Sequence, residues 1–158
     1  MNRAGLLAGE RILLTLWVGG LWAIGYIAAP ALFASLEDRS LAGTLAGTMF
    51  EIVAYLGMVC AVLLLLFNQV RNPGRRLNWR AVVLLVMFVL VLAGQFVVAP
   101  MIAEIRMAET TESSAFAWFH GVASLAYLVT SLLGLALVAA PDSAAQPGNC
   151  QGFDNESS

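Results

Sequence analysis

Hydrophobic residues in this chain are gathered into four long runs that short polar segments separate. Each run is close to the ~20 residues that an α-helix needs to cross the hydrocarbon core of a bilayer. Continuous runs favour helices, because barrel strands would alternate in polarity over segments of about ten residues. The pattern predicts an all-α fold, an integral membrane four-helix bundle within residues 1–140. Its predicted spans lie at about 12–33, 41–67, 81–103 and 115–140.

The composition agrees with a membrane protein. Of the 158 residues, 60% are hydrophobic and 11% are charged, whereas a soluble domain carries about 25% charge. The net charge of -2 and the scattered arginines give no reason to expect a nucleic-acid partner. Cys60 lies in a span and Cys150 in the polar tail, so no structural disulfide is expected. Residues 141–158 follow Pro141 without periodicity, which predicts a disordered tail.

The arginines predict the orientation in the membrane. Two of the eight basic residues, Arg39 and Arg106, fall on one side of the predicted spans, and all the others fall on the other side. The positive-inside rule then places both termini and the arginine-rich loop in the cytoplasm. We expect a multi-pass protein of a bacterial inner membrane, with the lipid bilayer around it. Glu10-Arg11 precedes the first run, and the alternative is a cleaved signal peptide.

Two parts of the chain resemble each other. An Ala-Pro pair near the end of a run is followed, about one span later, by a Phe and an ionisable residue. The members are Ala29-Pro30 with Phe50-Glu51, and Ala99-Pro100 with Phe119-His120. This spacing suggests two repeated helical hairpins, and chance similarity between apolar helices is the alternative. Because proline lacks an amide proton, an α-helical register would free the carbonyls of Tyr26 and Phe96.

Polar side chains gather toward the end of the spans that lies away from the arginine-rich loop. With a rise of about 1.5 Å per residue, Tyr26, Gln95 and Glu51 lie roughly 21–24 Å from the cytoplasmic ends. The same count puts His120 and the two prolines at roughly 27–30 Å. This predicts an outward-facing polar layer, with Glu51, His120, Gln95 and Tyr26 as candidate binding residues.

Glu51 is the most conspicuous of these residues. It follows Gly43 and Gly47 at spacings of four, which suggests one shared helix face. Glycines allow a neighbouring helix to approach closely, so we expect Glu51 to point into that contact. A carboxylate there is costly unless it is paired or protonated. It is therefore either a proton-binding or metal-binding group, or a structural residue that is bonded to other polar side chains.

His120 is the only histidine. It begins a stripe at helical spacing that continues through Ser124, Tyr127 and Ser131. The histidine is a candidate metal ligand, haem ligand or proton acceptor, and the alternative is a residue that caps a freed carbonyl.

Methionine thioethers together with His suit Cu(I), and Glu is a poorer partner. The candidate metal site, with copper as the cofactor, therefore consists of His120, Glu51, Met49 and Met101. The alternative is that the methionines fill gaps in an apolar core.

Other features are predicted to be structural. A further stripe at helical spacing is expected to be a packing face and comprises Thr15, Gly19, Trp22 and Tyr26. Pro30, Pro100, Gly43 and Gly47 are expected to shape the helices. The sequence carries no phosphate loop, nucleophile elbow, zinc signature or haem-attachment motif, so we do not expect an enzyme.

Several short motifs resemble those of a known family. They are Gly19-Gly20, Ala29-Pro30 with Phe33, Ala42-Gly43 with Phe50, and Phe119-His120-Gly121. Over most of residues 10–140 the chain resembles the bacterial domain-of-unknown-function 4149 proteins, which are similar to transmembrane protein 205 and distantly to the membrane domain of copper-resistance protein D. The resemblance implies a four-helix integral membrane protein and no particular reaction. The chain lacks paired histidines, which argues against direct copper transport.

Two functional hypotheses follow. In the first, the protein binds or passes a metal ion, a proton or a small solute at the outward-facing polar layer. In the second, it is a structural or assembly factor that packs against partner membrane proteins or forms a homo-oligomer.

Overall fold

The computed structural model describes residues 3–71, 78–107 and 114–140. The helices there, in chain order, are α1 (Arg3–Trp22), a first π segment (Ala23–Ala28), α2 (Ala29–Ser35), α3 (Arg39–Arg71), α4 (Trp79–Ala93), a second π segment (Gly94–Val98), α5 (Ala99–Met107) and α6 (Ser114–Ala139). Four stretches are long and apolar enough to cross a membrane: Gly5–Ser35, Arg39–Arg71, Trp79–Glu104 and Ala117–Ala139. The predicted all-α, four-span fold is confirmed. The predicted disorder of 141–158 falls outside the described residues.

The four spans pack as a bundle in which neighbours along the chain run in opposite directions. α1 packs against α3 and α6, and α4 packs against the same two helices. α3 and α6 are therefore diagonal to each other across the bundle. The end where α3 finishes and α4 begins is called the arginine end below. The end where α2 leads into α3 is called the link end.

One large side chain from each span fills the centre of the bundle. Trp17, Leu64, Met87 and Leu137 are each at most 1% exposed. Gly57 makes room for the indole ring, because a Cβ at this position would lie 2.3 Å from Nε1 of Trp17. The interior here is close-packed, as protein cores generally are.

Polar side chains fix the starts of two helices. The carboxylate of Asp38 accepts hydrogen bonds from the backbone amides of Ser40 and Leu41, at 2.8 and 3.2 Å. The side chain of Asn78 accepts from the amide of Ala81 at 2.8 Å. Such caps satisfy amides that have no partner within the helix, so they define where α3 and α4 begin.

A buried carboxylate joins three helices at the arginine end. Glu10 of α1 is buried and forms ion pairs with Arg71 of α3 and with Arg80 of α4, each through a different carboxylate oxygen. The distance from Arg80 Nη2 to Glu10 Oε1 is 3.0 Å. The helix that contains the first predicted span begins earlier than the apolar run, because α1 starts at Arg3 and includes Glu10. We call Glu10, Arg71 and Arg80 the charge clasp.

Replacing Glu10 with Gln should destabilise the bundle. The change leaves two arginines without their shared carboxylate, and breaking a buried pair from one side costs about 3–5 kcal/mol. Because both arginines keep some contact with solvent, we expect a smaller loss of about 1–3 kcal/mol in the free energy of unfolding. Reversible unfolding in mixed micelles measures it. Glu37→Gln, at an exposed site at the link end, is the control, and equal losses in both variants would contradict the clasp.

Candidate functional site

Both Ala-Pro pairs follow a π-helical segment. The amide of Ala29 donates to the carbonyl of Ile24, and that of Ala99 donates to the carbonyl of Gly94, so each bond reaches back five residues. Short π segments inside α-helices occur frequently at functional sites. The two predicted hairpins therefore share one backbone feature at equivalent places, as a repeat would require.

The five-residue register changes which carbonyls the prolines leave without an amide. In that register Pro30 stands opposite the carbonyl of Gly25, and Pro100 stands opposite that of Gln95. The expectation that Tyr26 and Phe96 carry the freed carbonyls assumed four-residue bonds, whereas the bonds just before both prolines span five residues. Each affected carbonyl lies one residue earlier.

A tyrosine of α6 inserts into the first span at this place. The Tyr127 hydroxyl donates to the carbonyl of Leu21 at 2.6 Å and also lies beside the backbone of Gly25. In a regular α-helix the Leu21 carbonyl would accept from the Gly25 amide. A side chain that enters the backbone hydrogen-bond ladder is a recognised cause of helix distortion. Tyr127 therefore occupies the position of a helical hydrogen bond just where the π segment begins.

Glycine is required at position 25 by this insertion. A Cβ there would lie 2.3 Å from Cε1 of Tyr127 and 2.9 Å from its hydroxyl oxygen. No real side chain tolerates such a distance without movement of the ring. Gly25 and Tyr127 thus form one unit, which we call the tyrosine insertion.

Aromatic rings surround the tyrosine insertion. The Tyr127 ring lies 5.2 Å from that of Phe50 in an edge-to-face arrangement and 6.3 Å from that of Tyr26, while Tyr26 lies 4.8 Å from Trp22. Such pairs stabilise by about 0.5–1.5 kcal/mol beyond simple burial. The cluster ties the first span, α3 and α6 together toward the link end.

The candidate Glu51 lies on the outside of the bundle. Its side chain is exposed, and so is Gly47, where a Cβ would meet no heavy atom within 4 Å, whereas Gly43 is buried. The prediction that Glu51 points into a helix contact is therefore wrong. Four residues exceed one helical turn by about 40°, so the stripe drifts about 80° between Gly43 and Glu51. The buried face of α3 continues instead through Ala46 and Val53.

The polar stripe of α6 also differs from its prediction. His120 is exposed, whereas Ser131 is fully buried. The hydroxyls of Ser124 and Ser131 donate to carbonyls one turn earlier in their own helix, at 2.8 and 2.9 Å. These hydroxyls serve the backbone and do not line a polar path. The stripe of Thr15, Gly19, Trp22 and Tyr26 is likewise exposed, so the predicted packing face is not buried in the bundle, although Tyr26 contacts the Tyr127 ring of α6.

The candidate metal ligands fall into two groups. Met49 and Glu51 are on α3, whereas Met101 is on α5 and His120 is on α6, which is diagonal to α3. Within 3–71, 78–107 and 114–140, no group of three or more His, Cys, Asp or Glu side chains is placed to hold a metal ion. Gln95 lies in the second π segment and is partly exposed. Met49 and Glu51 therefore lie on a helix diagonal to that of His120, whereas Met101 lies on a helix that contacts it.

These features define a four-span integral membrane protein whose first span carries an inserted tyrosine and whose Glu51 and His120 side chains lie on the outer surface of the bundle. The model of the family described as Domain of unknown function (DUF4149) matches residues 12–111. The match covers more than half of the chain, so the protein belongs to this family, as its motifs predict. Comparison with the curated proteins and with the solved structures gave no match.

Two residues gained importance only from the structure. Glu10 lies between Leu6 and Leu14 at spacings of four, and both leucines are buried. An acid at an inward position of an apolar helix is a signal for a buried partner. Tyr127 belongs to a polar stripe, and only the packing of the spans shows that it reaches Gly25.

Gly25→Ala should destabilise the protein by about 1–3 kcal/mol, because the new methyl group overpacks against the Tyr127 ring. Tyr127→Ala should remove most of that penalty, so the two changes will be strongly non-additive. Unfolding of the two single variants and the double variant measures this coupling. Gly94→Ala, where a Cβ meets nothing within 4 Å, is the matched control. Additive effects at positions 25 and 127 would contradict the tyrosine insertion.

Proposed function

We propose that the protein functions by binding another membrane protein through the link-end half of α3, as a structural or assembly factor. The observation that supports this most directly is the outward-facing carboxylate of Glu51. We call the surrounding surface the α3 outer face. It lies within about 100° of helix circumference and comprises Thr44, Gly47, Thr48, Glu51 and Tyr55, all exposed.

The depth of Glu51 makes bare lipid an unfavourable surrounding. α3 has 33 residues and is about 50 Å long, so it exceeds the ~30 Å hydrocarbon core. If the helix is centred in the bilayer, Glu51 lies about 9 Å inside the core edge. Acids in spanning helices almost always face protein or a water-filled cavity. A partner that offers a hydrogen-bond donor would satisfy this carboxylate.

The rest of the α3 outer face suits close helix packing. The hydroxyls of Thr44 and Thr48 are hydrogen-bonded to backbone carbonyls of α3, at 2.9 and 3.2 Å. These two side chains can therefore present their methyl groups to a partner helix without leaving a hydroxyl unbonded. Gly47 provides an open position at which a second helix can approach. The combination of small residues with one strong polar anchor is typical of helix–helix interfaces in membranes.

The location proposed for this activity is a bacterial inner membrane, with both termini in the cytoplasm. The support is the arginine distribution along the chain, with Arg71 and Arg80 at the same end of the bundle as the start of α1. The α3 outer face would then lie in the leaflet away from the cytoplasm.

A second candidate keeps the hypothesis that the polar layer binds or passes a metal ion, a proton or a small solute. Met101 lies on α5 and His120 on α6, and these two helices contact each other. The two residues are equally far along the chain from the segment 108–113 between the helices. A thioether and an imidazole at one depth suit Cu(I). This retains the proposed similarity to the copper-resistance protein D membrane domain, while the packed bundle centre favours surface binding over passage.

Photocrosslinking tests the first candidate. A photoreactive residue at position 51 should give one discrete adduct in native membranes, whereas one at Val89, exposed on α4, should give only diffuse lipid labelling. Gly47→Leu should reduce the adduct at least fivefold by blocking helix approach. Gly121→Leu, at a similarly open glycine of α6, should leave it unchanged. An adduct of twice the chain mass identifies a homo-oligomer, and no discrete adduct would contradict the proposal.

Copper titration tests the second candidate. Purified protein under reducing conditions should bind Cu(I), and His120→Ala or Met101→Leu should each weaken binding by tenfold or more. Met49→Leu and Glu51→Gln, on the diagonal helix, should have no effect. Equal affinity in all four variants, or a loss confined to the α3 pair, would count against the Met101–His120 site.

A further inference from the structure

The two helical hairpins are joined firmly at the arginine end. The first hairpin runs from α1 to α3 and the second from α4 to α6. Arg80 at the start of α4 pairs with Glu10 of α1, and the side-chain amide of Asn78 donates to the side-chain oxygen of Asn68 at 2.8 Å. Asn68 is a buried residue of α3, so both polar links cross from one hairpin to the other. This end of the bundle therefore provides a fixed base.

The packing between the hairpins becomes sparse toward the link end. Among the described residues, the hairpins pack on each other mainly through α1 with α6 and α3 with α4. The link-end helices α2 and α5 pack instead within their own hairpins, on α3 and α6 respectively. Neither π segment contains a buried residue, and of α2 only Ala29 is buried. Few buried contacts indicate a region of low local stability.

The tyrosine insertion crosses this sparsely packed region. Tyr127 belongs to the second hairpin, and its hydroxyl donates to the carbonyl of Leu21 in the first hairpin at 2.6 Å. Its ring also contacts the rings of Tyr26 and Phe50, which both belong to the first hairpin. Along α6, burial among the described residues begins only at Thr130. One side chain therefore connects the hairpins beyond the point where α6 is packed.

We propose that the two hairpins open and close at the link end about the arginine end, and that the tyrosine insertion holds the closed form. A hinge of this kind needs a packed base and a region of few contacts, and the bundle has both. Leu41 lies about 45 Å along α3 from Arg71, so a rotation of about 10° would separate the link ends by about 8 Å. The structure is that of the closed form.

The backbone at Gly25 makes the opening reversible. When the Tyr127 hydroxyl leaves, the carbonyl of Leu21 can accept from the amide of Gly25, which is its partner in a regular α-helix. The carbonyl thus has a donor in both forms, as a bilayer requires. The polar cost of opening is then limited to the single hydrogen bond of the tyrosine. This motion is a property of the single chain and does not depend on a partner at the α3 outer face.

Double electron–electron resonance on the full-length protein in lipid nanodiscs tests the proposal. One pair of spin labels, at Leu41 of α3 and Ala117 of α6, lies at exposed positions of diagonal helices and reports the link end. A second pair, at Ile12 of α1 and Val82 of α4, is also exposed and reports the arginine end. The labels are introduced after both native cysteines are replaced.

Tyr127→Phe should raise the ratio of open to closed molecules about fivefold, because it removes one neutral hydrogen bond and keeps the ring. The open form appears as a longer distance between positions 41 and 117, while the arginine-end pair stays unchanged. Ser124→Ala is the matched control, since its hydroxyl donates within α6, and it should leave both distances unchanged. Phe50→Leu should also increase the open form, because it removes the edge-to-face ring contact and leaves the hydroxyl in place.

Three outcomes would overturn the proposal. The first is an unchanged link-end distance in both Tyr127→Phe and Phe50→Leu, which would make the tyrosine insertion a permanent brace. The second is equal broadening of both distances, which would indicate general loosening of the bundle. The third is the same lengthening in Ser124→Ala as in Tyr127→Phe. Cooperative thermal unfolding shows that each labelled variant is folded.

Discussion

A bilayer offers no water to a backbone carbonyl that has lost its amide partner, and this constraint governs the first span. Pro30 has no backbone amide proton to donate. In the five-residue register of the π segment, the carbonyl opposite Pro30 is that of Gly25. The Tyr127 hydroxyl then bonds to the Leu21 carbonyl one turn earlier. Tyr127 belongs to the second hairpin, and the equivalent positions of the first hairpin are Gly57 and Met58, which carry no hydroxyl. The two hairpins therefore share a backbone form, and the tyrosine insertion has no counterpart at the equivalent positions of α3.

The two ends of the bundle differ in whether their ionisable side chains are buried or exposed. At the arginine end, Glu10 is buried among side chains from three helices and its charge is matched within the chain. At the link end, Glu51 and His120 lie on the outer surface of diagonal helices. Between them the bundle centre is packed with apolar side chains. A ligand or partner of Glu51 or His120 would therefore approach from the outer surface of the bundle.

The sequence predicts features that depend on the order of residues within one segment. It fails for features that depend on helical rotation summed over several turns or on contacts between distant segments. Run lengths give the four spans because burial in lipid requires about 20 apolar residues each. The face of Glu51 was mispredicted because a small angular drift adds up over two turns. The pairing of Glu10 with Arg71 cannot be predicted from the sequence because the two residues are 61 positions apart. The freed carbonyls depended on a five-residue register that proline alone does not reveal.

The contrast between the two glutamates bears on function. The fold has the means to satisfy a buried carboxylate, because it pairs Glu10 with two arginines. Glu51 lies at a depth where a charge is costly, and the chain turns it outward next to an open glycine. A residue kept for stability of the monomer alone would gain nothing from this placement. Under the proposed function, a partner outside the bundle that meets the carboxylate would offset this cost, which is the argument for an intermolecular role of the α3 outer face.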